Sequence, residues 1–152
     1  GYEEQIDNEK YEYKPRDFVT ARRNGIEDLL TRLNAARSSH PALRQLRDIY
    51  FHPTSDDQII AYSKRVDAFH SPTGKDDVVL TVVNLDPHGA RAGEVYLNLE
   101  ALGLPGWVDA SRPVVKVTDE LTGDTYDWSG QNYVRLDPFA GQVAHVFSVE
   151  PL

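Results

Sequence analysis

Val78-Val79-Leu80-Thr81-Val82-Val83-Asn84-Leu85-Asp86 is the longest β-branched and apolar run in the chain. Asp76-Asp77 precede it and Pro87-His88-Gly89 follow it. The run is apolar on both alternating faces until Asn84. That pattern predicts a central strand covered on both sides, since a half-exposed strand alternates apolar with polar. The rest of the chain then has to supply two kinds of cover. Shorter strands must pair with this one, and something apolar must lie across each face.

Downstream, the sequence offers the strands. Val95, Leu97 and Leu99 alternate with Tyr96 and Asn98, a half-buried strand. Val114–Thr118, Thr125–Trp128, Tyr133–Leu136 and Val143–Val149 follow, separated by Leu121-Thr122-Gly123-Asp124, Ser129-Gly130 and Pro138–Gly141. Upstream, Ile49-Tyr50-Phe51 and Gln58–Arg65 flank the turn Thr54-Ser55-Asp56-Asp57 and read as a hairpin. The fold class is therefore mainly β, an antiparallel sandwich of about eight short strands. The turns are too short for helical crossovers, which argues against a parallel sheet.

Ahead of the strands lies a helix. Ile26, Leu29, Leu30, Leu33 and Ala36 fall at i, i+3, i+4, i+7 and i+10 on one face. Asn24 with Glu27 reads as a capping box, and Ser38-Ser39-His40-Pro41 ends the helix. One amphipathic helix cannot hide its stripe alone, so it has to lean on something. Residues 1–20 are polar and aromatic, without a period, and read as a long irregular lead.

Composition limits the chemistry. The net charge is −8, and residues 48–152 hold seven Lys/Arg against sixteen Asp/Glu. An acidic sandwich repels phosphate backbones, which argues against nucleic acid. No stretch approaches a membrane span, and the start shows no signal peptide. The absence of cysteine suits a cytoplasmic protein. The absence of methionine, even at position 1, suggests a chain that begins inside a longer protein. The histidines show no metal-ligand spacing, so no metal site is expected. Asp56-Asp57 and Asp76-Asp77 are expected to be solvated charges at strand edges. No nucleophile context stands out, and no two acids can be chosen as a glycosidase pair. Tyr126, Trp128 and Tyr133 cluster on one hairpin. Trp128 is expected in the core, whereas Trp107 sits in a loop and is open to sugar stacking or packing. Within Glu9-Lys10-Tyr11-Glu12, a long cation stands beside a phenol. Together they could hydrogen-bond and pack against a sugar, or simply form a surface loop.

Three stretches carry a family resemblance. They are Asp7-Asn8-Glu9-Lys10-Tyr11-Glu12-Tyr13-Lys14-Pro15-Arg16-Asp17, Thr31–Leu43, and Val82-Val83-Asn84-Leu85-Asp86-Pro87-His88 together with Asp119-Glu120-Leu121-Thr122-Gly123. They resemble the C-terminal part of the bacterial α-1,4-glucan:maltose-1-phosphate maltosyltransferases, members of glycoside hydrolase family 13. The resemblance implies that residues 1–47 are the last loop and helix of a (β/α)8 catalytic barrel and that 48–152 are a C-terminal β-sandwich. It implies transfer of maltosyl from α-maltose 1-phosphate to the non-reducing end of an α-1,4-glucan acceptor, with release of phosphate. The reaction would retain configuration, need no cofactor and occur in a homodimeric enzyme. It assigns Lys10 and Tyr11 to binding the donor disaccharide. The catalytic carboxylates of the family have no match here, so the chain by itself is expected to be inactive, with an upstream barrel of the same protein as its partner. The alternatives are a sugar-binding or barrel-capping sandwich, or the tail of another α-amylase-superfamily enzyme such as a branching enzyme.

Overall fold

The computed structural model describes residues 17–20 and 25–152. The central run forms β3 (Asp77–Asn84), and all but its first and seventh residues are buried. Around it stand β1 (Ile49–His52), β2 (Ile59–Val66), β5 (Val115–Asp119), β6 (Thr125–Trp128) and β8 (Ala144–Pro151). They make one six-stranded sheet in the order β1-β2-β3-β8-β5-β6. A second sheet consists of β4 (Arg91–Tyr96) and β7 (Gln131–Leu136). Every strand pairing is antiparallel.

The period of two along β3 explains its double-sided apolar character. Val78, Leu80 and Val82 join the main core with Ile59, Ala61, Val117 and Phe147 of the same sheet. Val95, Val134 and Leu136 close that core from the small sheet, helped by Leu97, Leu102 and Leu104 of the following loop. Val79 points the other way. It meets Val66, Leu121 and Val146 in a second cluster, covered by α1 (Glu27–Ser39) and α2 (Pro41–Arg44) through Ala36 and Ala42. Each fully buried Val, Leu, Ile or Phe side chain contributes roughly 1.5–3 kcal/mol relative to exposure. The helix is thus a third layer, set on the outer face of the larger sheet.

Asn84 ends β3 where the pattern turns polar, and its amide explains why. Nδ2 donates to the carbonyl of Gly89 at 2.9 Å and to that of Leu136, in the opposite sheet, at 3.2 Å. Oδ1 accepts from the Asp86 N–H at 2.8 Å. Asn84→Ala leaves those groups unpaired and should cost about 1–3 kcal/mol in urea denaturation. A loss below about 0.5 kcal/mol would mean the amide is not joining the sheets.

Four expectations need correction or displacement. Glu27 is the first helical residue and Ile26 occupies the capping position expected of Asn24, which lies outside the described residues. The strand expected at Val95–Leu99 sits earlier, at Arg91–Tyr96, because the chain leaves the ladder there. Leu97 N–H then bonds Gly130 in the β6–β7 turn, and Leu99 accepts from Leu102. The lead is not irregular throughout: residues 18–20 are helical, with Asp17 accepting from Val19 and Thr20 N–H. Asp76 and Asp77 are not merely solvated edge charges. Asp76 binds the Arg65 guanidinium and the Ala68 N–H, and Asp77 is tied to the helical layer.

Candidate functional site

The helical layer has one face on the sandwich and one face open. Leu29 and Ala36 of α1 and Ala42 and Leu43 of α2 pack on Val66, Val79, Leu121 and Val146. The Arg32 guanidinium donates to the Leu121 carbonyl at 2.6 Å. His40, between the two helices, stands between two carboxylates of the sandwich. Its Nδ1 lies 2.7 Å from Asp77 Oδ1 and its Nε2 lies 3.3 Å from Glu120 Oε1. The second oxygen of Asp77 accepts the Ala42 N–H at 2.7 Å, serving the start of α2. One carboxylate therefore holds a side chain and a helix N-terminus together.

The other half of the stripe is bare. Ile26, Leu30 and Leu33 are exposed, and so are Phe18 and Val19 beside them. Phe18, Val19, Ile26 and Leu30 line an open trough whose polar members are Glu27, Thr31 and Asn34. Contiguous apolar exposure of this kind marks a surface made to be covered. Asp17 anchors its near end; hydrogen bonds from the Thr20 hydroxyl, and then from the backbone, hold its carboxyl below the usual carboxylate range.

The sequence motifs find their reasons at this junction. In Asp119-Glu120-Leu121-Thr122-Gly123, Asp119 is 0% exposed and accepts from the His145 ring at 2.7 Å. Glu120 faces His40, and Leu121 lies under the helix. Gly123 holds φ +84, a left-handed conformation that suits glycine. In Asn84-Leu85-Asp86-Pro87-His88, Asp86 accepts from the His88 N–H and pairs with Arg91. Those two bonds, in that order, hold its carboxyl low.

Lys10 and Tyr11 lie outside the described residues. Trp128 is buried against Phe147, with ring centroids 5.0 Å apart, while Trp107 is exposed. Among the described residues no group of three or more His, Cys, Asp or Glu could hold a metal ion, and no helix is long and apolar enough to cross a membrane. The described geometry centres on a helix with one face seated on the sandwich and one apolar face exposed. Sequence reasoning missed its clasp: His40 meets Asp77 and Glu120 across long separations that leave no local pattern.

Comparison with known proteins adds the context. Residues 51–149 match the family described as GLGE, C-terminal. The whole chain is 48% identical to the α-1,4-glucan:maltose-1-phosphate maltosyltransferase of Arcanobacterium haemolyticum, of which it covers 22%. It is 50% identical, over 98% of its length, to maltosyltransferase 2 of Streptomyces coelicolor, covering 20% of that protein. Against the Mycobacterium tuberculosis maltosyltransferase the identity is 43%, over 98% of the chain and 20% of the relative. The chain therefore spans about a fifth of the length of these relatives.

Proposed function

The chain belongs to the GLGE C-terminal family, and from that premise we propose that it is the C-terminal part of a maltosyltransferase. The enzyme transfers maltosyl from α-maltose 1-phosphate to the non-reducing end of an α-1,4-glucan and releases phosphate. The observation that carries this reading is the split helix: one face is seated on the sandwich, the other is apolar and open. A catalytic (β/α)8 barrel of the same protein would cover the open face. On this reading 1–47 are the last loop and helix of that barrel, and 48–152 are the sandwich that supports it.

Loops at the C-terminal end of barrel strands carry function. Lys10 donates to hydroxyls of the donor disaccharide, and Tyr11 packs against it and hydrogen-bonds. The barrel supplies the carboxylate nucleophile and the general acid/base for a double displacement that retains configuration. The enzyme works as a cytoplasmic homodimer, and the isolated chain releases no phosphate.

The test is phosphate release from α-maltose 1-phosphate by the full-length enzyme. Lys10→Ala removes charge-assisted hydrogen bonds worth about 1.5–3 kcal/mol, so kcat/KM should fall roughly 10- to 100-fold. An unchanged kcat/KM would remove Lys10 from the donor site.

A further inference from the structure

Where β6 passes into β7 the two sheets part at one edge, and a small cavity opens between them. It has a volume of about 180 Å³ and is lined by Tyr126, Trp128, Tyr133, Arg135, Gln142 and His145, with Phe147 and Val134 behind. Trp128 and Phe147 form a floor that belongs to the main core. Tyr126 stands edge-on to Phe147 at 6.1 Å, and Tyr133 is 62% exposed at the rim. Tyr126, Trp128 and Tyr133 do not share the expected hairpin: β6 and β7 belong to different sheets, and the cavity lies between them.

His145 gives the cavity a polar end. It is 7% exposed and stacks on Phe147 at 4.7 Å. Its Nδ1 is tied to Asp119 Oδ2 at 2.7 Å. Asp119 is itself fixed by the N–H groups of Leu121 at 3.0 Å and Val146 at 3.3 Å. A carboxylate so held accepts the Nδ1 proton and orients the ring. Nε2 is the ring nitrogen left over. It has no partner among the described residues and is not shut away from the surface, and His145 lines the cavity. Neither tyrosine hydroxyl has a partner among the described residues either.

We propose that this cavity binds one uncharged sugar ring, with Tyr133 and Tyr126 against its apolar faces and His145 Nε2 hydrogen-bonded to a hydroxyl. A lining of aromatic side chains with a few polar groups suits a ring that is apolar on its faces and hydroxylated at its edge. An anion suits the cavity poorly. The Arg135 guanidinium already reaches Asp137 at 3.3 Å. The carboxylates of Asp124 and Asp119 lie near enough to add to burial, the larger cause, in raising the Tyr126 phenol above its usual pKa. The site lies wholly in the sandwich, apart from the bare helix face. That the ring is a glucose unit of an α-1,4-glucan rests on the function proposed above; that it is a neutral sugar does not.

The chain has only two tryptophans, so its indole N–H resonances report site by site. Maltoheptaose should shift the Trp128 resonance saturably and leave that of Trp107, which does not line the cavity, in place. Tyr133→Ala should weaken that binding about tenfold, and Trp107→Ala should leave it unchanged. No saturable shift of Trp128 with maltoheptaose, an equal affinity in Tyr133→Ala, or a Trp128 shift driven instead by inorganic phosphate would each overturn the site. None of these outcomes bears on phosphate release by the full-length enzyme. Loss of the catalytic reading with Trp128 still responding would leave the site standing.

Discussion

Phe147→Ala should lower the unfolding free energy by about 3–5 kcal/mol. Phe147 is 0% exposed and sits on β8, the neighbour of the central strand. Its ring meets Trp128, Tyr126 and His145. Truncation loses the transfer free energy of a benzyl group and leaves a cavity that neighbours on two paired strands cannot close. Domains are stable by only about 5–15 kcal/mol, so much of the margin goes. Urea denaturation followed by tyrosine and tryptophan near-ultraviolet signals measures the loss. Phe139→Ala is the control: that ring is exposed, and the change should stay within about 0.5 kcal/mol. A loss at Phe147 no larger than the control's would mean that the core is not organised around β8.

The second large effect is a loss of stability in mild acid. His52 ends β1, is buried, and is held neutral. Its Nδ1 accepts the Asn98 N–H at 3.1 Å, so Nε2 carries the proton toward Ser63 Oγ at 2.9 Å. Burial lowers its pKa from 6.5 to about 4. A pKa depressed by folding means that the unfolded chain binds the proton more readily. The contribution is then fully present above pH 6.5 and is lost as pH falls toward 4. Over that window the loss amounts to about 3 kcal/mol. The carboxylates held low, among them Asp76 beside Arg65 and Asp86 beside His88 and Arg91, act in the same direction but below their ordinary value of 3.8. The two contributions therefore separate along the pH axis. Urea midpoints measured between pH 7 and 4 should fall for the natural chain and fall much less for His52→Gln. Parallel profiles for the two proteins would show that His52 is not the group responsible.

The central strand was legible in the sequence because burial on both faces leaves a mark that periodicity detects directly. The position of β4 was not. Val95, Leu97 and Leu99 do point inward as their alternation implies, but only Val95 belongs to a ladder. Alternating apolar residues report burial, and a loop folded over a core can satisfy that as well as a strand. The helix shows the same limit in another form. Its stripe was visible, yet nothing in the spacing says that Leu29 and Ala36 serve the sandwich while Ile26 and Leu30 do not. That division depends on where Leu121 and Val146 lie in three dimensions. The clasp around His40 left no trace at all. Its carboxylates come from the start of one strand and the turn after another, and Asp77 looked like an ordinary edge charge until its partners were known.

The strand order carries a consequence for synthesis. β8 is the last strand in sequence but lies between β3 and β5. Until residues 144–151 are made, no strand is available to pair β3 with β5, so β1-β2-β3 and β5-β6 cannot join in one sheet. The backbone N–H and C=O groups along one edge of Val79–Val83 meanwhile have no strand to pair with, since Ala144–Ser148 close that edge. A nascent chain in that state exposes an apolar strand edge, the condition under which strands of neighbouring chains pair. The sheet becomes continuous only when its final strand emerges and inserts at the centre.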